Sequence, residues 1–133
     1  ASLKQRIARM GCHDRVWFRG HVAGDEKTQA FVGGDIFCLP THSENFGIVI
    51  AEALAHGTPV VTTVNAPWQQ IEAEGAGAWV EATPQALAEA ILELSRNDLS
   101  EVGERGRNWM RRSFCRIRRD RQRLYRSDPG DCP

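Results

Sequence analysis

Two short apolar runs separated by one helix-length apolar segment constrain this chain most. Ile36-Phe37-Cys38-Leu39 is continuously apolar and is stopped by Pro40, and Val60-Val61-Thr62 is a second, β-branched run. A strand apolar at every position is buried on both faces, the habit of parallel sheets covered by helices. Parallel neighbours need a crossover, usually a helix. Residues 47–56 supply one that is apolar almost all round and therefore expected to be deeply packed, with Gly57 at its end and Pro59 behind it.

The rest of the chain continues the alternation. Leu3, Ile7 and Met10 sit at helical spacing before Gly11, and Val16-Trp17-Phe18 reads as a short strand ending at Gly20. Residues 25–32 read as a helix with Asp25 and Glu26 in its first turn, where they suit the helix dipole. A short helix over 68–74 and a fourth strand, Ala78-Trp79-Val80, follow. Thr83 as N-cap and Pro84 at the first helical position open a helix with Leu87, Ile91 and Leu94 on one face. Two further helical segments are predicted over 99–113 and 114–126. Strands and helices in turn predict an α/β fold: a Rossmann-like parallel sheet flanked by helices.

A chain of 133 residues, 41% hydrophobic and 26% charged, can build one core and is not of the disordered type. Its longest near-apolar stretch, 46–55, carries Glu52 and is too short to span a bilayer, and the first residues do not read as a signal peptide. Cys12, Cys38, Cys115 and Cys132 are scattered with no C-x-x-C pair, so reduced thiols and a cytoplasmic setting are expected. The formal net charge of zero hides an asymmetry. Residues 1–106 carry 8 Lys+Arg against 14 Asp+Glu, and residues 107–133 carry 9 against 3. An acidic body with a basic tail argues against a chain-wide nucleic-acid surface.

In open α/β sheets ligands bind beyond the carboxyl ends of the strands. The segment Leu39-Pro40-Thr41-His42-Ser43-Glu44-Asn45-Phe46-Gly47 leaves one strand there and enters a helix. A helix N-terminus offers unpaired N–H groups and partial positive charge to a phosphate, and Gly47 would let an anion approach closely. An ordinary turn capped by Ser43 or Asn45 would look the same. Glu52 sharpens the choice as the one charge in an apolar helix, where a carboxylate needs a partner. That partner is either a backbone amide or an arginine elsewhere, or a pair of sugar hydroxyls.

The string Glu44-Asn-Phe-Gly-Ile-Val-Ile-Ala-Glu52 resembles the E-x7-E motif of the family 4 retaining glycosyltransferases, which have the GT-B fold. The resemblance runs on through Ala53-Leu-Ala-His-Gly-Thr-Pro-Val-Val-Thr62. It also covers Asp14-Arg-Val-Trp-Phe-Arg-Gly20, Asp35-Ile-Phe-Cys-Leu-Pro40, Ala66-Pro-Trp68 and Ala86-Leu-Ala-Glu-Ala-Ile91. Two glutamates eight apart are common; the ordered string is specific. It implies the C-terminal, donor-binding half of a GT-B enzyme, with a nucleotide-diphosphate sugar as donor and retention at the anomeric carbon. Glu44 would be the catalytic residue, facing the donor sugar. Asn45 and the backbone N–H groups of Phe46, Gly47 and Ile48 would hold sugar and diphosphate. Glu52 would bind the ribose hydroxyls, and Arg19 and Gly20 would lie near the base.

The chain also departs from the family pattern. The opening strand with its Gly-Arg…Lys-Gly segment and the acceptor-binding N-terminal domain have no counterpart, and Phe114-Cys115-Arg116 stands where Phe-Ser-Trp is usual. The expectation is a partial domain over 1–113 with a basic helix or tail over 114–133, inactive without an acceptor domain. The tail is expected to be loosely attached, because few of its residues are large and apolar. A non-catalytic α/β binding or interaction domain, or a non-functional gene fragment, is the alternative.

His13, His21, His42 and His56 show no metal-ligand spacing, and no metal or other cofactor is expected. His56 is placed as the cap of its helix, Cys38 as packing, and Trp79 and Trp109 as core, while Trp68 borders the cleft. Eight arginines in residues 111–126 read either as a solvated face or as contact with anionic lipid at the inner face of the plasma membrane. They lack the interleaved aromatics of a nucleic-acid site.

Overall fold

A computed structural model describes residues 2–41 and 47–125, with 115–125 as backbone only. The elements run α1 (Leu3–Arg9), α2 (Asp25–Gly33), β1 (Phe37–Leu39), α3 (Ile48–Ala55), β2 (Val60–Thr63), α4 (Gln70–Ala73), β3 (Gly77–Val80), α5 (Pro84–Ser95) and α6 (Leu99–Tyr125). Among the described residues the sheet has the order β1-β2-β3, all parallel, with Phe37 opposite Val60, Leu39 opposite Thr62, and Thr63 opposite Val80. The α/β architecture predicted from the sequence is the one observed. No described helix is long and apolar enough to cross a membrane.

Local chemistry sets several boundaries. Ser2 and Gln5 form a reciprocal capping box on α1. The Thr83 hydroxyl accepts from the Ala86 N–H at 3.1 Å, and Pro84 fills the first position of α5. His56 is the C-cap of α3, and Gly57 leaves the helix at φ +79°, which favours glycine.

The core forms where α3 and α6 pack together against the sheet. Ile50, Ala53 and Leu54 of α3 meet Val60, Ile71, Ala76, Trp109 and Met110. Period-two alternation sends Val61 to the face opposite Val60, and α5 packs across β2 and β3. The approach of α6 to α3 is close enough that a Cβ on Gly103 would run into the carbonyl oxygen of Gly57. Arginines of α6 finish the contact. Arg105 donates from Nε to the Gly75 carbonyl at 3.0 Å, and Arg107 donates from Nη2 to the His56 carbonyl at 3.4 Å.

Four expectations are corrected. Residues 16–18 are not a strand: no described strand lies beside them to complete a ladder, and Trp17 is 76% exposed. Among the described residues β1 lies at the edge of the sheet, half-buried rather than buried on both faces. The helix expected over 68–74 is the single turn α4. The two terminal helical segments are one helix, which runs unbroken across residues 113 and 114. The tail's attachment rests on side chains outside the described residues.

Candidate functional site

The carboxyl edge of the sheet is where β1 hands the chain to α3, and threonines fix that exit. The Thr62 hydroxyl donates to the Leu39 carbonyl at 3.0 Å. Thr63 Oγ1 donates to the Thr41 carbonyl at 2.7 Å and accepts from the Thr41 N–H at 3.1 Å. Asn65 Nδ2 donates to the same carbonyl at 3.2 Å. Thr41, Thr62 and Thr63 are all buried. A β-branched residue with a hydroxyl serves both needs here: it suits a strand and it pairs polar backbone that would otherwise lose water.

Five of the expected positions bear on this edge as follows. Glu44, Asn45 and Phe46 fall within residues 42–46, outside the described residues, as do the capping candidates Ser43 and Asn45. Gly47 is the N-cap of α3, and no described atom lies within 4 Å of where its Cβ would be. Ile48, the first helical residue, is 79% exposed although it is large and apolar. By helix geometry the first N–H groups of α3 have no intrahelical acceptor, and this end of the helix lies at the sheet edge.

Glu52 sits in a helix, as expected, and is partly buried. It follows Ile48 by four residues and precedes Ala55 by three, and this stripe of α3 faces away from the core, which takes Ile50, Ala53 and Leu54. Its side chain is 34% exposed, and Oε2 lies 2.9 Å from Nζ of Lys27, itself 38% exposed. The charged partner is therefore a lysine of α2. A pair this exposed contributes about 0–1 kcal/mol to stability.

Helix α2 also borders the other expected donor contact. Arg19 lines a small hollow with Val22, Glu26 and Gln29. Gly20, beside it, has φ +68°. Helix α2 thus carries both the Glu26 and Gln29 that share a hollow with Arg19 and the Lys27 that pairs with Glu52. Phe31 anchors that helix: it is buried, edge-on to Phe37 and stacked on His56, and its carbonyl accepts from the Thr58 hydroxyl.

On its Ala51 side, α3 borders an open cleft of about 470 Å³ lined by Pro67, Trp68, Gln70, Trp109 and Phe114. Trp68 and Trp109 meet edge to face with ring centroids 5.6 Å apart. Trp68 lines this cleft, and Trp109 belongs to the core, as expected. Trp79 packs against the core and donates from Nε1 to the Ala66 carbonyl at 2.9 Å. His56 accompanies the end of α3, with Nδ1 2.6 Å from the Glu52 carbonyl. Cys38 is half-buried in β1, and burial pushes its thiol above the ordinary range. Among the described residues no cluster of His, Cys, Asp or Glu is placed to hold a metal ion.

Lys27 is the residue that sequence reasoning passed over. It is the only Lys or Arg between Gly20 and Ser95, but it lies far from Glu52 in sequence and no local pattern joins the two.

The comparisons with known proteins agree with this geometry. The profile of the family described as "Glycosyl transferases group 1" matches residues 1–97. Over 92 residues the chain is 37% identical to the phosphatidyl-myo-inositol mannosyltransferase of Mycobacterium leprae, covering 67% of this chain and 25% of that protein. Over 63 residues it is 38% identical to the mannosylfructose-phosphate synthase of Agrobacterium fabrum, covering 47% of this chain and 14% of that one. Over 44 residues it is 48% identical to the sulfoquinovosyl transferase SQD2 of Arabidopsis thaliana, covering 33% of this chain and 9% of that one. The chain spans a quarter or less of the length of these relatives. No solved structure matches it. With parallel strands flanked by helices and a family profile that matches residues 1–97, the chain belongs to the group 1 glycosyl transferases.

Proposed function

We propose that this chain supplies the donor-nucleotide side of retaining glycosyl transfer from a nucleotide-diphosphate sugar to a saccharide or lipid-linked acceptor. The observation that carries the reading is the outward stripe of α3. Gly47 and Ile48 open the helix at the sheet edge, and Glu52 stands one turn below on the same side. Diphosphate oxygens suit the N–H groups of a helix N-terminus, and a carboxylate one turn further along suits the paired hydroxyls of a ribose. In this reading Asn45, Phe46, Gly47 and Ile48 hold the sugar and diphosphate. Glu44 faces the anomeric centre, and Arg19 and Gly20 border the base. Charge on the diphosphate is met by helix N–H groups, and no metal cofactor is invoked.

The chain alone is proposed to lack transfer activity. Transfer needs an acceptor held in line with the donor, and positioning accounts for a large part of the barrier reduction. An acceptor-binding domain is the partner that would supply it. The phosphatidyl-myo-inositol relative supports a lipid-linked acceptor, and the arginines of 111–126 suit a cytoplasmic protein held at an anionic leaflet.

The test is a thermal-shift titration with uridine, guanosine and adenosine diphosphates. One of them is expected to raise the Tm, and Glu52→Ala is expected to weaken its binding by about 1–3 kcal/mol, the scale of a charged hydrogen bond. A folded chain indifferent to all three would instead be a non-catalytic α/β domain.

A further inference from the structure

We propose that Lys27 is the positioning residue for Glu52, holding one carboxylate oxygen so that the other is presented to the ribose hydroxyls of a nucleoside diphosphate. The inference rests on the ribose-side reading of Glu52 and adds to it a residue of another helix.

The ion pair is recorded at one carboxylate oxygen. Lys27 Nζ meets Oε2 at 2.9 Å. An ammonium is a compact point charge, not a planar fork, so it engages one oxygen and leaves lone pairs on the other. An ionised carboxylate has about four acceptor sites, enough for a lysine and two hydroxyls together. Glu52 lies on the stripe of α3 turned away from the core, so apolar neighbours do not fix its rotamers as they would in the core. Without a fixed partner it would sample several orientations, and a ligand would have to select one of them.

Lys27 is well placed to remove that freedom. Its helix is tied down one turn later by Phe31, which is buried, paired with Phe37 and His56, and hydrogen-bonded through its carbonyl by Thr58. The base of the Lys27 side chain is therefore fixed relative to α3. The same helix lines, through Glu26 and Gln29, the hollow that Arg19 also lines. Between Gly20 and Ser95 no other Lys or Arg exists to take the role.

A surface pair of ordinary kind would change stability slightly and ligand selectivity not at all. The experiment reads selectivity. Calorimetric titrations of the wild-type chain, Lys27→Met, Lys27→Arg and Glu52→Gln would use whichever of uridine, guanosine or adenosine diphosphate binds, together with its 2′,3′-dideoxy counterpart. The wild-type chain is expected to prefer the ribose form by about tenfold or more, the scale of a hydrogen bond to a charged group. Glu52→Gln should remove most of that preference. Lys27→Met should cut it by about threefold or more, and Lys27→Arg should keep most of it. The general attraction of Lys27 for a diphosphate weakens both forms alike and cancels in the ratio.

If Lys27→Met leaves the ratio unchanged while Glu52→Gln collapses it, the ribose reading stands and the positioning role is overturned. If neither substitution moves the ratio, or no nucleoside diphosphate binds, the ribose reading itself falls and the role of Lys27 falls with it.

Discussion

Thr41 and Thr63 exchange two hydrogen bonds across the carboxyl ends of β1 and β2, at 3.1 and 2.7 Å, through one hydroxyl that both donates and accepts. The pair fixes the point from which the chain leaves for residues 42–46. Thr63→Val keeps the shape and removes the hydroxyl, leaving the buried Thr41 N–H without that acceptor. The expected loss is about 1–3 kcal/mol of stability, read as a lower urea midpoint, with Thr63→Ser retaining most of it. An unchanged midpoint in the valine variant would show that this bond is not what fixes the exit.

Gly103 tests the closeness of α6 to α3. Alanine favours a helix by about 1 kcal/mol over glycine, yet a Cβ here would meet the Gly57 carbonyl, which is backbone and cannot rotate away. Gly103→Ala is expected to be destabilising overall, by about 1–3 kcal/mol from overpacking. At Gly106 the nearest atom to a Cβ is the Leu54 side chain at 3.0 Å, which can yield. Gly106→Ala should therefore cost less, and the reverse order in denaturant melts would contradict the packing described.

Trp109 joins the core to the open cleft. It is buried and meets Trp68 edge to face. Trp109→Ala is expected to cost about 3–5 kcal/mol, and Trp109→Phe a smaller part of that. Trp68 should respond in both variants with a shifted emission maximum, because it loses the ring beside it. A near-native melt for Trp109→Ala would mean that α6 does not seal this side of the core.

Burial raises the Cys38 thiol, so its thiolate is disfavoured in the folded chain. The sign follows directly: the stability tied to this group is fully present below the unfolded thiol pKa, roughly 8.5, and is lost as pH rises through the higher folded value. Peptide mapping after brief iodoacetamide treatment should show Cys38 labelled more slowly in the folded than in the unfolded chain near pH 8. Cys38→Ala should flatten part of the alkaline loss of stability. Equal labelling of folded and unfolded chain would contradict the burial.

What the sequence revealed depended on how local the cause was. Thr83-Pro84 and Gly57 carry their own backbone preferences, and each boundary they marked is present. Val16-Trp17-Phe18 has the composition of a strand, but a strand is a pairing, and no described partner lies beside it. The partner of Glu52 was missed for a different reason. When nearly every residue of α3 is apolar, the pattern does not show which stripe turns outward, and the core chose Ile50, Ala53 and Leu54. Lys27 is far from Glu52 in sequence, so only the docking of α2 could reveal the pair.

Two of the arginines of α6 bear on how the chain is made. Arg105 and Arg107 reach back to the carbonyls of Gly75 and His56, and Gly103 seats the helix against Gly57. Every strand of the described sheet thus leaves the ribosome before the helix that shields Leu54, Ala76 and the chain ends of α3 and α4. During that interval the nascent chain carries a formed or forming sheet with one flank wet and apolar, the state in which aggregation competes with folding. Synthesis that slows before α6 would lengthen the interval, and a holdase chaperone that covers this flank would shorten its consequences.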